Sequence, residues 1–239
     1  MRNSTRRSRN IGTAKQGHGR DNAMAIPFPF EPKALLFYER LGDCTRQTRT
    51  LNGQEITFIV EKTRKPNVHA CSVDDIARVL SCIPAADLKG LEFVVLRQPK
   101  RKEEILSSVW GRYHPYGEFD NRFGGVIILE AMDLSRALRW RKPQDAIWLE
   151  ELEKLRDEGH EITETPKRFE IRSTLAAVRQ TQLFGTVPHE VGHHVQAMRN
   201  RDVDRLPTSE KERFAETYAR DFMRKWGELL NPKNKKAPI

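Results

Sequence analysis

His189-Glu190-Val191-Gly192-His193, followed by Glu212-Arg213-Phe214-Ala215-Glu216, decides how this chain is read. Residues four apart lie about one turn apart on a helix, so the two imidazoles leave one face and can reach one ion. Zinc takes imidazole nitrogens at about 2.0–2.1 Å and, in catalytic sites, three protein ligands plus a water. Glu190 points about a third of a turn away, towards the water and not the metal, where it can act as general base. The bland alternative is a pair of solvated or capping histidines near a helix start. Random placement yields the five-residue pattern in roughly 2% of chains of this composition, so the weight falls on its context.

The third ligand sets the class. A site of the form H-E-x-x-H-x-x-G-x-x-H needs Gly at 196 and His at 199, and the chain has Gln196 and Arg199. Glu212 is the next acceptor, against the bland reading of an exposed helix carboxylate. Glu216, four residues on, shares its face and can accept from the free imidazole N–H of a ligand histidine. The spacing predicts one helix over 187–198 and a second over 209–230. Gly192 and the small residues Ala215 and Ala219 allow the two backbones to approach. Val191, Val195 and Met198 are left for the core. Pro188 implies an abrupt or kinked start to the first helix.

The histidine–glutamate pair, with a distant Glu followed four positions later by another acid, resembles the gluzincin layout of thermolysin-like peptidases. The Glu-x-Phe-Ala-Glu wording is similar to the glutamate helix of lethal-factor-like peptidases. The H-E-x-G-H form resembles the ImmA/IrrE group, which cleaves repressor proteins. The resemblance is specific over 187–222 and architectural before it. It implies an α+β fold: a single zincin-like metallopeptidase domain, with a small mixed sheet, an HExxH helix and a following glutamate helix. It also implies zinc as cofactor, held by His189, His193 and Glu212, with Glu190 catalytic, Glu216 behind the ligands, and a protein as substrate along an edge strand. No Tyr or His stands at a motif-matched position to stabilise an oxyanion; Tyr113, His114 and Tyr116 are loop candidates only.

Working outward, residues 55–61 alternate Ile56, Phe58 and Val60 as a half-buried strand does. Ser72 with Asp75 reads as a capping box opening a helix to about Cys82, closed by Pro84. Strands are expected at 92–97, 108–113 and 126–130, with a solvated basic turn over 97–102 and a loop over 115–125. Helices are expected at 133–141 and 144–157, a strand at 169–173, and a helix through Leu175, Val178 and Leu183 that Gly185 breaks. His194 is read as solvated. His69, Cys71 and Cys82 fit no metal-ligand spacing.

The net charge of +9 is unevenly placed: residues 1–30 carry +5 and residues 231–239 carry +3, so residues 31–230 carry +1. The expected division is therefore a basic disordered tail at 1–30, a catalytic domain at 31–230 and a basic tail at 231–239. Those tails motivate a second reading, a nucleic-acid-associated protein with a structural or vestigial zinc site. An inactive interaction module is a third, disfavoured by Glu190, which metal binding alone does not need. No apolar run approaches a membrane span, no apolar stretch follows Arg6-Arg7, and three cysteines at unpatterned spacing suggest no disulfide framework. A cytoplasmic location is expected.

Overall fold

Short, branched apolar runs build the centre of the molecule, for which a computed structural model describes residues 41–106, 109–141, 147–200 and 202–230. The first strands, β1 (Cys44–Leu51) and β2 (Gln54–Glu61), form an antiparallel hairpin. Its turn is Asn52-Gly53, both at positive φ, the geometry that suits a two-residue hairpin. After a short β3 (Asn67–Val68), helix α1 (Val73–Leu80) opens with the expected capping box, Ser72 and Asp75 bonding each other's backbone N–H. Helix α2 (Ala85–Leu88) leads into β4 (Leu91–Arg97), then α3 (Arg101–Leu106).

Next come β5 (Gly111–Phe119) and β6 (Arg122–Glu130), paired antiparallel. The expected loop over 115–125 is instead the tip of this hairpin, with Asp120 and Asn121 at positive φ in the turn. The sheet runs β1-β2-β4-β6-β5, with β2, β4 and β6 parallel and an antiparallel strand at each edge.

The expected helix over 133–141 does not form. The chain makes β7 (Met132–Asp133), a turn, and β8 (Leu138–Arg141). Asp133 accepts from the N–H and hydroxyl of Ser135, an Asx turn that competes with helix. Pairing of β8 with β10 (Arg168–Arg172) then outweighs the helical spacing of Leu134 and Leu138. Between them lie α4 (Ile147–Asp157) and β9 (Glu161–Glu164), which completes a three-stranded sheet β8-β10-β9.

Helix α5 (Leu175–Gln180) does not break at Gly185. It widens into a π-helical turn over Thr181–Thr186 and continues as α6 (Val187–Arg199), so Pro188 sits inside a longer helical run and starts nothing. The wide turn, in which Val187 N–H bonds Gln182 O, accommodates the proline that lacks a donor. The last helix is α7 (Thr208–Leu230). Helices α1, α6 and α7 cover one face of the five-stranded sheet: Ile76 and Leu80, Val191 and Val195, and Phe222 pack in one core with Ile56, Phe58, Val94, Leu96 and Ile127. Mixed α and β elements around a small mixed sheet agree with the expected class. Arg97 departs from the expected solvated basic turn: it is 1% exposed and bonded to Glu130 and Glu103. No helix among the described residues is long and apolar enough to cross a membrane. Both basic tails lie outside the described residues.

Candidate metal centre

Two contacts fix where α6 presents its histidines. Gly192 has no room for a side chain: a methyl there would sit 2.8 Å from Ala215 Cα and 3.1 Å from Ala215 O. The helices therefore cross backbone to backbone at this pair, as the small residues predict. On the opposite side, His194 is fully buried and not solvated as expected. Its Nε2 faces the Lys89 carbonyl at 3.1 Å and its Nδ1 faces the Tyr113 hydroxyl at 3.1 Å. A carbonyl only accepts, so Nε2 carries the proton and Nδ1 accepts from Tyr113. Burial holds the ring below its ordinary pKa and so favours the neutral form. Gly125 makes the fit possible, since a Cβ there would meet His194 Nδ1 at 2.8 Å. The signal for this burial lies in Gly125 and Tyr113, far from His194 in sequence.

With α6 so held, His189 and His193 face α7. Their Nε2 atoms are 3.1 Å apart; Glu212 Oε2 lies 3.2 Å from His189 Nε2, and Glu212 Oε1 lies 3.6 Å from His193 Nε2. Ligands bound to one tetrahedral zinc at about 2.0–2.1 Å are about 3.3 Å from each other. The three spacings bracket that value, so the donor set fits zinc in type and in size. Among the described residues this is the one group of three or more His, Cys, Asp or Glu side chains whose donor atoms converge. The hydrogen bonds from His189 and His193 hold Glu212 well below the ordinary carboxylate range. Burial opposes charge on His189, but the Glu212 bond and the carboxylates of Glu190, Glu212 and Glu216 outweigh it and raise its pKa.

Glu190 is 6% exposed. Burial raises its pKa against the charges of His189 and His193, and Arg112 of β5 also acts to lower it. The direction of that shift, towards a stronger base than an ordinary carboxylate, is the one a proton acceptor uses. Glu216 is exposed and makes no hydrogen bond to either imidazole; it reaches His189 through its charge alone. Glu151 of α4 acts electrostatically on the same pair, a residue for which the sequence pattern carried no signal.

The oxyanion candidates separate. Tyr113, His114 and Tyr116 lie on β5 and not on a loop. Tyr113 is committed to His194, burial and the charges of Arg112 and Arg97 push His114 down to about 4, and Tyr116 is 75% exposed. His69 is bound to the Glu61 carbonyl at 2.7 Å, and Cys71 lies 3.6 Å from Gln182 Oε1, so neither converges on a second metal position. No protein-family model, curated protein or solved structure matches the chain.

Proposed function

We propose that the chain is a zinc-dependent endopeptidase acting on a protein substrate. The observation that carries the reading is the convergence of His189, His193 and Glu212 at zinc-ligand spacing, with the buried carboxylate of Glu190 beside them. Zinc in such a site supplies a Lewis acid and a bound water of lowered pKa. Glu190 accepts the proton of the attacking water and returns it to the leaving amine. His189, His193 and Glu212 would hold the ion. The orientation of the two imidazoles is set by the Gly192–Ala215 crossing on one side of α6 and the His194 anchor on the other.

Strand β5 supports the peptidase reading over a purely structural metal site. It is an edge strand that packs on α6, with Tyr113 against His194. An extended peptide can add to such an edge by main-chain hydrogen bonds and so be drawn past the metal helix.

Metal analysis and peptide cleavage test the reading together. Wild type should bind one zinc per chain and cut an unfolded protein substrate. Glu190→Gln should keep the metal while cleavage falls by about 10²–10⁴-fold, the range for a lost general base. His189→Ala and Glu212→Ala should lose zinc. A His189→Ala, His193→Ala double variant that retains stoichiometric zinc would end the reading.

A further inference from the structure

A cavity of about 570 Å³ opens at the carboxyl ends of β4 and β6, whose last residues are Arg97 and Glu130. Ligand sites in sheets with parallel strands favour this end, and the volume falls within the usual ligand-pocket range of about 300–1,000 Å³. Its wall is charged, and the carboxylates on it are already engaged by guanidiniums. Arg97 holds Glu103 and Glu130, Arg64 holds Glu104, Arg136 pairs with Asp133, and Arg168 holds Glu170.

Two arginines on the same wall are left with spare capacity. Arg139 reaches Glu170 only at 3.7 Å, on the oxygen that Arg168 already binds at 2.6 Å. Arg172 forms no ion pair among the described residues, although Glu161 stands opposite it in the ladder. The register of β8 and β10 places them together: Arg139 pairs with Glu170, and Arg172 is two residues along the same strand, so all three share one face. Arg112, also on the wall, pairs with Glu130 at 3.5 Å. Arg112 lies on β5 beside Tyr113, which packs on His194 of α6, so one strand borders both the cavity and the metal helix.

We propose that this cavity is a substrate subsite that receives an acidic peptide segment, whose carboxylates pair with Arg139 and Arg172. The word substrate rests on the peptidase reading; the anion binding does not. Planar guanidiniums pair with carboxylates through two parallel N–H···O bonds, which suits Glu or Asp side chains.

The test uses the full chain carrying Glu190→Gln, zinc-loaded, with fluorescein-labelled peptides of equal length that are glutamate-rich, lysine-rich or neutral. Fluorescence anisotropy should show the acidic peptide binding best. Arg139→Ala with Arg172→Ala should weaken it by about tenfold or more, with zinc content unchanged. Both arginines are exposed, so the fold should tolerate the change; Arg139→Glu with Arg172→Glu should move the preference to the lysine-rich peptide. Equal binding of acidic and basic peptides, or indifference to both double variants, would overturn the subsite. So would citrate binding that depends on these arginines while the acidic peptide does not bind, which would assign the cavity to a free polyanion. If zinc-loaded wild type binds the acidic peptide through these arginines yet never cuts any peptide, the peptidase reading fails and the anion site stands. If it cuts and the arginine variants do not matter, the subsite fails alone.

Discussion

Replacing Gly192 by Ala should weaken zinc binding far more than it weakens the fold. The added methyl would stand 2.8 Å from Ala215 Cα and 3.1 Å from Tyr218 Cβ. Carbon atoms pack best at about 3.5–4.0 Å, so α7 must retreat by roughly 1 Å. Ala215 lies three residues beyond Glu212 on the same helix, so the carboxylate retreats with it. The 3.2 and 3.6 Å separations from the two imidazoles then open towards 4 Å or more. Zinc–ligand distances tolerate only about ±0.2 Å, so the third ligand is strained or lost. Loss of the surrounding contacts that orient metal ligands typically costs about 10–100-fold in metal affinity, and the Gly192–Ala215 crossing is such a contact. The effect on the fold is blunted by opposing terms: overpacking costs about 1–3 kcal/mol, while Ala in place of Gly inside a helix returns about 1 kcal/mol. The assay is a competition titration of metal-free protein against a fluorescent zinc indicator, beside urea denaturation of the same metal-free samples. Unchanged zinc affinity in a folded Gly192→Ala protein would show that the helix crossing does not set the ligand triangle.

Two other perturbations probe the supports of the site. Tyr113→Phe removes the donor to buried His194 Nδ1 and should destabilise the protein by about 1–3 kcal/mol in urea with zinc stoichiometry unchanged; a loss under about 0.5 kcal/mol would mean another donor replaces it. Burial pushes His160 down to about 4, so between pH 6.5 and 4 the unfolded chain takes up a proton that the folded chain refuses. This contribution is fully present above pH 6.5 and is lost as pH falls towards 4, at up to about 1.4 kcal/mol per pH unit. The stability difference between metal-free wild type and His160→Asn should therefore shrink from pH 7 to pH 5, and a difference that does not vary with pH would contradict the assigned shift.

Much of the fold around the candidate metal centre was legible because its signals are local. Ser72 and Asp75 cap α1 as the box predicts, the alternation over 55–61 gives β2, and Gly192 with Ala215 announces a close helix crossing. Strand β1 was not anticipated: its Thr and Arg residues occupy a largely exposed edge, where no apolar alternation is required. Asn52-Gly53 was the available signal for its hairpin. Residues 133–141 show helical spacing, yet their partner strand lies some thirty residues downstream, beyond the reach of any local pattern. Arg97 reads as one member of a basic run, and only its contacts with Glu103 and Glu130 distinguish it from the solvated neighbours. Gly185 reads as a break, whereas the run continues through it as a wide helical turn.

That wide turn bears on how the chain tolerates change in length. Each residue added to or removed from an α-helix rotates everything beyond it by about 100°. The segment Thr181–Thr186 is clamped, with the Gln182 side-chain amide donating to the carbonyls of Trp110 and Glu130 and Thr181 bonded to His160. Upstream anchoring of that kind makes the aim of His189 and His193 a matter of phase. Deleting a single position between the clamp and His189 would swing the pair off α7 without touching any side chain at the centre. Insertions and deletions there should be tolerated far less readily than substitutions.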